Sequence, residues 1–447
     1  MYFKSQKFLV AGMSKSGKAS AEFLLVRGAE VYVYDDVISD NINAVINELQ
    51  NSGAKHVTFE TLENAINSCD VLVLSPGIPI DNALPIAFRK LGKAIIGEEE
   101  LGALFLRATA IAVTGTNGKT TTVSMIENVV KSCNKRAVAC GNVGTPLVGE
   151  VEKLSFDDYA VIEISSFQLE TLFSLRPHIA VISNISEDHL NRHYNMDNYI
   201  YLKSRLIRPL KESEYAVLNY DDEIVKSLAA VTKAKVVYFS IQKKVNGAYL
   251  EDGYIIYDGE KVLNVSDMQI NGVHNVYNAL ATVTCAKLLN LPNEQIAQAL
   301  YDFKGVKHRN QLIAEINGVK YVNDSKGTNV DATVKAIESV SEPTVLLLGG
   351  KDKGEDYEVL FKKINSSSVV HAVIYGENRI KLINAAIKHG FLSFSTCSDF
   401  YHAINLARLI AKSGQTVLLS PASSSFDAFS NYEERGEAFI KAVEEFK

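Results

Sequence analysis

A chain of 447 residues exceeds what one hydrophobic core organises and calls for about three domains. Its 47% hydrophobic and 22% charged residues are those of an ordinary globular protein, and a net charge of −6 at pH 7 excludes a chain built around a basic nucleic-acid face. Five scattered cysteines (Cys69, Cys133, Cys140, Cys285, Cys397) exclude a CxxC zinc site and read as reduced thiols in the cytoplasm, and no apolar run approaches the roughly 18 residues of a membrane span.

The N-terminal "MYFKSQKFLVAG" carries no signal-peptide core and runs directly into a strand. "KFLVAG", "KASAEFLLVRG" and "AEVYVYDD" predict strand, helix and strand, with Asp35 and Asp36 closing the second strand. This is half of a doubly wound nucleotide fold. "DVLVLSPGIP" adds a buried strand ending in a turn, and "LGKAIIGEEELGALF" is the exit, placing a boundary near residue 97. "TAIAVTGTNGKTTTVSMIENVV" opens a second strand-loop-helix unit. "YAVIEISSFQLE" and "PHIAVISNISEDHL" are buried strands with polar C-terminal ends, where open α/β sheets bind ligands. The hairpin-like "GAYLEDGYIIYDGEKVLNV" and the long helix "NGVHNVYNALATVTCAKLL" bring this unit to residue 302. "GVKYVNDSKGTNVDATVKAIESV", "PTVLLLGGKDKGEDY", "HAVIYGE" and "TVLLSPASSSFDAF" form a third alternating set. The expected architecture is α/β in three domains, 1–97, 98–302 and 303–447, each on a mostly parallel sheet. The outer two are Rossmann-like and the central one is P-loop-ATPase-like.

Two loops compete for a nucleotide phosphate. Gly12, Gly17 and Lys18 have P-loop spacing, but Ala19 replaces the hydroxyl that holds Mg²⁺. Gly115 and Gly118 are closer together, yet Lys119, Thr120 and Thr121 follow. Backbone N–H groups at a helix start, a lysine for the outer phosphates and a metal hydroxyl are all required. Glu163, at a strand end in "VIEISS", suits the same ion. ATP is therefore expected at Gly115, Thr116, Asn117, Gly118, Lys119, Thr120 and Thr121. The first loop, followed by Asp35, reads as a diphosphate site without chemistry, for a nucleotide-tagged substrate.

"GTNGKTTT", "NISEDHLNRH" and "VKHRNQ" together resemble the Mur ligases, the ATP-dependent amide-forming enzymes of peptidoglycan precursor synthesis, over essentially the whole chain. "EISSFQLE", "NDSKGTN" and "LSPASSSFDAFSNYEERG" resemble the branch that adds D-glutamate to UDP-N-acetylmuramoyl-L-alanine. The resemblance implies a cytoplasmic, monomeric ligase that activates a carboxylate as an acyl phosphate, with cations stabilising the negative charge gathered in both steps. It implies that Lys119 cradles the β/γ-phosphates, that Thr120 and Glu163 hold one Mg²⁺, and that Asn142 lies near the transferred phosphate. His189 supports a second metal. Lys203, in "NYIYLKSRLIRPL", is implied to be a carbamate that ligates Mg²⁺, a modification that needs a neutral amine. Asn275, His308 and Arg309 line the ATP site, Asp324 reaches the ribose and Lys326 the phosphates. The UDP group falls to Ser14, Lys15, Ser16, Asp35, Asp36, Ser75, Pro76 and Gly77. Lys15 stands where the family usually has a neutral residue, and it either adds a phosphate contact or is solvated. D-Glutamate falls to Thr328, Lys353, Ser425 and Phe426, with Lys351 competing for the role of Lys353 and "SSSFDAF" read as a helix start.

Other readings are a different Mur-type ligase, a folylpolyglutamate synthase-like ligase, a dinucleotide-dependent oxidoreductase and a non-catalytic nucleotide-binding regulator. The folate enzyme has no need of Asp35 and "SPGI", the oxidoreductase leaves Lys119, Thr120 and Glu163 unexplained, and the regulator would not need the full set with His189 and Lys203.

Overall fold

The computed structural model describes residues 3–270, 272–352 and 355–446. Apolar runs such as VLVL and IAVI are buried on both faces, the mark of parallel strands covered by helices. The first sheet has five parallel strands, β1 (Lys7–Ala11), β2 (Glu30–Tyr34), β3 (Lys55–His56), β4 (Val71–Leu74) and β5 (Ala94–Gly97), in the order β3-β2-β1-β4-β5. Strand order reverses between β1 and β4, so the loops after these two strands flank a crevice.

The second sheet has nine strands. They are β6 (Thr109–Thr114), β7 (Ala137–Gly141), β8 (Tyr159–Glu163), β9 (Ile179–Ile182), β10 (Tyr215–Asn219), β11 (Lys235–Ser240), β12 (Gly247–Glu251), β13 (Tyr254–Tyr257) and β14 (Glu260–Asn264). Their order is β14-β13-β12-β11-β10-β9-β6-β8-β7, with the last three strands in sequence forming an antiparallel meander at one edge. The third sheet has six strands, β15 (Gln311–Ile316), β16 (Val319–Asn323), β17 (Thr344–Gly349), β18 (Val369–Tyr375), β19 (Phe394–Thr396) and β20 (Thr416–Leu419). It is parallel apart from the edge strand β15.

The chain divides into two compact units: Met1–Ile185 with Arg192–Ser266 and Tyr277–Leu300, and Ser186–Asn191 with Asp267–Val276 and Tyr301–Lys447. The first unit holds two sheets because they share one apolar core, from Phe8, Val10 and Leu24 to Leu147, Ile162 and Ala180. The helix Glu98–Ala103 joins them, and its three consecutive acids are buried rather than solvated. Glu98 accepts from the Val148 N–H at 2.7 Å, and Glu100 from Phe173 and Ser174 at 2.7 and 2.8 Å. Glu99 accepts from Gln168, and burial with the facing Glu98 pushes its carboxyl well above the ordinary range.

In the second unit the period of two along β17 sends Leu346 and Leu348 to one core and Val345 and Leu347 to the other. One expectation is corrected here. Residues 425–430 form a single turn, in which Ala428 and Phe429 N–H bond the Ser425 carbonyl at 3.1 and 2.9 Å, and not a helix start. The helix begins at Tyr432, because Asn431 caps it through the Glu434 N–H at 2.7 Å. Among the described residues no helix is long and apolar enough to cross a membrane.

Candidate active site

The loop 115–118 leaves the C-terminal end of β6 between β9 and β8 and runs into the helix Lys119–Ser132. Glycine is needed at both its ends. Gly115 has φ +152°, and a Cβ there would meet Ser183 Oγ at 2.0 Å; Gly118 has φ +84°, and a Cβ would meet Asn278 Oδ1 at 2.5 Å. Neighbouring strand ends hold the loop in shape. Thr116 N–H bonds the Asn184 carbonyl at 2.8 Å, Asn117 N–H bonds Asn184 Oδ1 at 2.9 Å, and Ser183 Oγ donates to the Asn117 carbonyl at 2.8 Å.

Lys119 folds over this loop, its Nζ donating to the Gly115 and Thr116 carbonyls at 2.8 Å each. Thr120 Oγ1 donates to Glu163 Oε2 at 2.7 Å, and Asn142 Nδ2 donates to Glu163 Oε1 at 2.8 Å. A hydroxyl and a carboxylate one turn from the loop are hard oxygen donors of the kind Mg²⁺ takes beside phosphate and water. Among the described residues no group of three or more His, Cys, Asp or Glu is placed to hold a metal ion. Thr121 is buried. Lys203 is 1% exposed, with Nζ donating to the Gly115 carbonyl at 2.8 Å and lying 4.6 Å from the Tyr199 ring centroid.

In the first sheet the two expected UDP loops meet. Ser75 Oγ donates to the Gly12 carbonyl at 2.8 Å, and a Cβ on Gly12 would lie 2.7 Å from Ser75 Cβ. Asp35 braces this loop through the Met13 N–H at 2.6 Å, and Asp36 accepts from the Tyr34 hydroxyl at 2.5 Å. Ser14 is the residue before the helix Lys15–Val26, without a side-chain cap, and the Ser16 carbonyl accepts from Ser20 Oγ. Lys15 donates to the Gly144 carbonyl, next to the strand end that carries Asn142. Lys18 turns away to Glu48 at 2.7 Å. Pro76 and Gly77 present their carbonyls to Arg192.

The remaining predicted residues belong to the second unit. His189 adopts φ +57° with Nε2 3.5 Å from Asp188 Oδ2, and Asn329 Nδ2 donates to the same oxygen at 3.1 Å. Asn275 is buried in the first turn of the helix Val273–Leu288. Beside it, burial and the Arg309 and Lys335 charges press His274 down to about 4, so its imidazole is neutral. His308 is buried, its ring 3.0 Å from Asn323 Nδ2. Asp324 is 2% exposed, and burial raises its carboxyl to about 6 against the opposing Arg309 charge; Ser420 Oγ donates to it at 2.7 Å. Lys326 Nζ lies 3.2 Å from the Tyr432 hydroxyl, and the Thr328 N–H bonds the Lys326 carbonyl at 2.8 Å. Ser425 is buried and Phe426 exposed. Lys351 pairs with Glu377 at 3.0 Å, while Lys353 lies outside the described residues.

Four residues escaped the sequence reading. Tyr199 bonds Thr116 Oγ1 at 3.1 Å, Asn184 moulds the loop, and Arg192 and Arg435 gather backbone carbonyls. Arg192 stands inside "SEDHLNRH" and Arg435 inside "NYEERG". Their proximity to the motifs was the one available signal.

Residues 6–97, 113–286 and 308–423 match models described as the Mur ligase MurD-like N-terminal domain, the Mur ligase middle domain and the Mur ligase glutamate ligase domain. A relative from Caldicellulosiruptor saccharolyticus, named UDP-N-acetylmuramoylalanine–D-glutamate ligase, is 40% identical over 98% of this chain and 99% of its own. One of the same name from Clostridioides difficile is 39% identical over 100% of both. Two solved structures share the fold. UDP-N-acetylmuramate-alanine ligase MurC from Thermotoga maritima has a TM-score of 0.65 at 18% identity, covering 99% of this chain and 100% of that one. MurF ligase from the same organism, in complex with ADP, has a TM-score of 0.61 at 17% identity, covering 100% and 96%.

Proposed function

The chain belongs to the Mur ligase family, and we propose that it joins D-glutamate to UDP-N-acetylmuramoyl-L-alanine at the expense of ATP, as a cytoplasmic monomer in peptidoglycan precursor synthesis. The observation that carries an ATP-dependent reaction is the convergence of Thr120 and Asn142 on Glu163 beneath the Lys119 loop. The choice of D-glutamate rests on full-length relatives of about 40% identity that bear that name.

In this reading residues 1–97 bind the UDP group, 98–302 bind ATP and 303–447 bind the amino acid. An alanyl carboxylate oxygen attacks the γ-phosphorus and ADP leaves. The D-glutamate amine then attacks the acyl carbon and loses a proton, and phosphate departs with the C–O electron pair. Lys119 moves from its own loop to the transferring phosphoryl group, Asn142 faces it, and the 115–118 amides hold the β-phosphate. Thr120 and Glu163 would hold Mg²⁺, which when bound neutralises phosphate charge. Lys203, as a carbamate, and His189 are assigned to a second ion. Asn275, Arg309, Asp324 and Lys326 are assigned to ATP, and Thr328, Lys353, Ser425 and Phe426 to D-glutamate.

Phosphate release measured in parallel with D-glutamate, L-glutamate, L-lysine and meso-diaminopimelate tests the substrate. D-Glutamate should be preferred over all three: over L-lysine by roughly 10⁴ or more, because an amino acid that lacks the side-chain carboxylate leaves a binding cation unpaired, and over L-glutamate because two fixed carboxylates turn the amine of the wrong hand away from the acyl phosphate. Preference for L-lysine or meso-diaminopimelate would make the chain a different member of the family. The carbamate has its own test. Lys203→Ala should lose about 10²-fold or more in turnover, on the scale of one lost group that stabilises transition-state charge. Short carboxylic acids should restore part of it, and CO₂-depleted buffer should slow the unaltered protein. Undiminished activity in Lys203→Ala would return Lys203 to a structural role, as the donor to the Gly115 carbonyl.

A further inference from the structure

Arg192 plays no part in the reaction above, yet it is among the most engaged side chains of the first unit. Its Nε and Nη2 grip Glu170 in a two-pronged fork, at 3.0 Å to Oε1 and 2.6 Å to Oε2. The two side chains are only 10% and 7% exposed, and the guanidinium lies 4.8 Å from the Phe167 ring centroid. Its terminal nitrogens also fan over one turn. Nη2 donates to the Ile78 carbonyl at 3.0 Å and the Pro76 carbonyl at 3.3 Å, and Nη1 to the Gly77 carbonyl at 3.4 Å. Planar geometry and five fixed donors allow a guanidinium to hold a carboxylate and a row of carbonyls together; an ammonium cannot do both.

The target of the fan matters. Ser75 to Ile78 is a β-turn closed by the Ile78 N–H on the Ser75 carbonyl at 3.0 Å. In a trans peptide the C=O and N–H point in opposite directions. Gathering the Pro76 carbonyl onto Arg192 therefore aims the Gly77 N–H, a donor the turn's closing bond does not use, away from Arg192. The same turn is pinned to the first Gly-rich loop through Ser75, whose N–H bonds the Ala11 carbonyl at 3.0 Å and whose Oγ bonds the Gly12 carbonyl at 2.8 Å. A Cβ on Gly17 would lie 1.8 Å from that Gly12 carbonyl oxygen, so the loop cannot shift without moving the helix start as well.

We infer that Arg192, neutralised by Glu170, is a positioning residue for the nucleoside-diphosphate-bearing substrate: it sets the peptide planes of the Ser75–Ile78 turn and, through Ser75, the Gly12 loop. This rests on the assignment of those two loops to the UDP group. It also places a determinant of that site in the segment after β9, outside the first sheet.

The test uses the full chain, with UDP as the binding probe in calorimetry and UDP-N-acetylmuramoyl-L-alanine in kinetics. Arg192→Lys keeps the charge and loses the fan. UDP affinity should fall, and the KM for the UDP substrate rise, by about tenfold, while the KM for ATP stays within about twofold. Amide exchange should quicken over residues 75–80 and stay unchanged over 119–132, a pattern that general destabilisation would not produce. Glu170→Gln, which keeps the shape and removes the balancing charge, should act in the same direction and serves if Arg192→Lys does not fold. UDP binding in Arg192→Lys within twofold of the unaltered protein, or an equal rise in the KM for ATP, overturns the positioning role. Failure of the unaltered protein to bind UDP at all would instead overturn the loop assignment beneath it.

Discussion

Lys119→Ala is expected to reduce phosphate release by roughly 10³-fold, while Lys18→Ala leaves it within about twofold. The two lysines follow similar glycine loops in the sequence, so the contrast rests on what each ammonium touches. Lys119 Nζ lies over its own loop, 2.8 Å from the Gly115 and Thr116 carbonyls, one residue before the Thr120 hydroxyl that meets Glu163. On the proposed assignment, removing it takes away a positive charge where the transferring phosphoryl gathers negative charge. The fold should survive, because the ammonium's bonds to two loop carbonyls contribute about 1.5–3 kcal/mol each and the Gly115 carbonyl keeps its bond from Lys203 Nζ at 2.8 Å. Lys18 is occupied elsewhere, 2.7 Å from Glu48 and 3.7 Å from Glu22 on partly exposed helix faces. Such pairs contribute at most about 1 kcal/mol, so Lys18→Ala should change little beyond a modest rise in the KM for the UDP substrate. Steady-state phosphate release with each substrate varied in turn separates the outcomes. Loss of ATP binding in Lys18→Ala would mean the loops are assigned the wrong way round.

What was legible in the sequence was whatever the backbone demands locally. Gly115 and Gly118 stand out because their φ values of +152° and +84° exclude most side chains, and the apolar runs at β4, β6 and β9 stand out because both of their faces are covered. The Thr120–Glu163 pairing was also foreseeable, since parallel strands deliver their C-terminal residues to one edge. Residues whose role comes from distant partners were not legible. Asp35 reads as an acid of the UDP site, but only the fold reveals the Met13 N–H on its carboxylate. Glu98, Glu99 and Glu100 stand in a stretch read only as the exit of the first domain, and nothing local shows that all three are buried where two sheets share a core. "SSSFDAF" has the serine-rich look of a capped helix, yet its chain turns once at Ser425 and the cap falls at Asn431. Arg192 and Arg435 look like ordinary surface arginines, because nothing local shows that three or more backbone oxygens converge on each.

Arg435 gives the largest expected effect on stability. It lies in the helix Tyr432–Glu444 among glutamates, where a solvated position would be assumed, but it is 1% exposed. Its guanidinium makes five hydrogen bonds: Nε to Ser325 Oγ at 3.0 Å, Nη1 to the Ser423 and Ser424 carbonyls at 3.1 and 3.2 Å, and Nη2 to the Ser325 and Ser423 carbonyls at 2.8 and 3.1 Å. These carbonyls belong to the segments that carry Asp324 and Lys326 on one side and Ser425 on the other. Arg435→Met keeps much of the apolar stem and removes every donor. The Ser424 carbonyl keeps its bond from the Lys351 N–H at 2.9 Å, but the Ser325 and Ser423 carbonyls are stranded in a buried site, and each costs about 1–3 kcal/mol when left unpaired. The removed charge no longer has to be desolvated, which offsets part of this, so a net loss of about 3–5 kcal/mol is expected. That corresponds to a fall in melting temperature on the order of 10 °C for the unit that contains it. Amide exchange should quicken over 323–328 and 421–430 while the helix Lys119–Ser132 in the other unit keeps its protection. If Ser425 and Thr328 bind D-glutamate as proposed, its KM should rise along with it, since both lie on the loosened segments. Arg435→Lys, with three donors on one nitrogen in place of five on a plane, should fall between the two. A melting temperature for Arg435→Met within 2 °C of the unaltered protein, a threshold set by roughly 1 kcal/mol, would show that the carbonyls find other donors and that Arg435 does not hold these loops together.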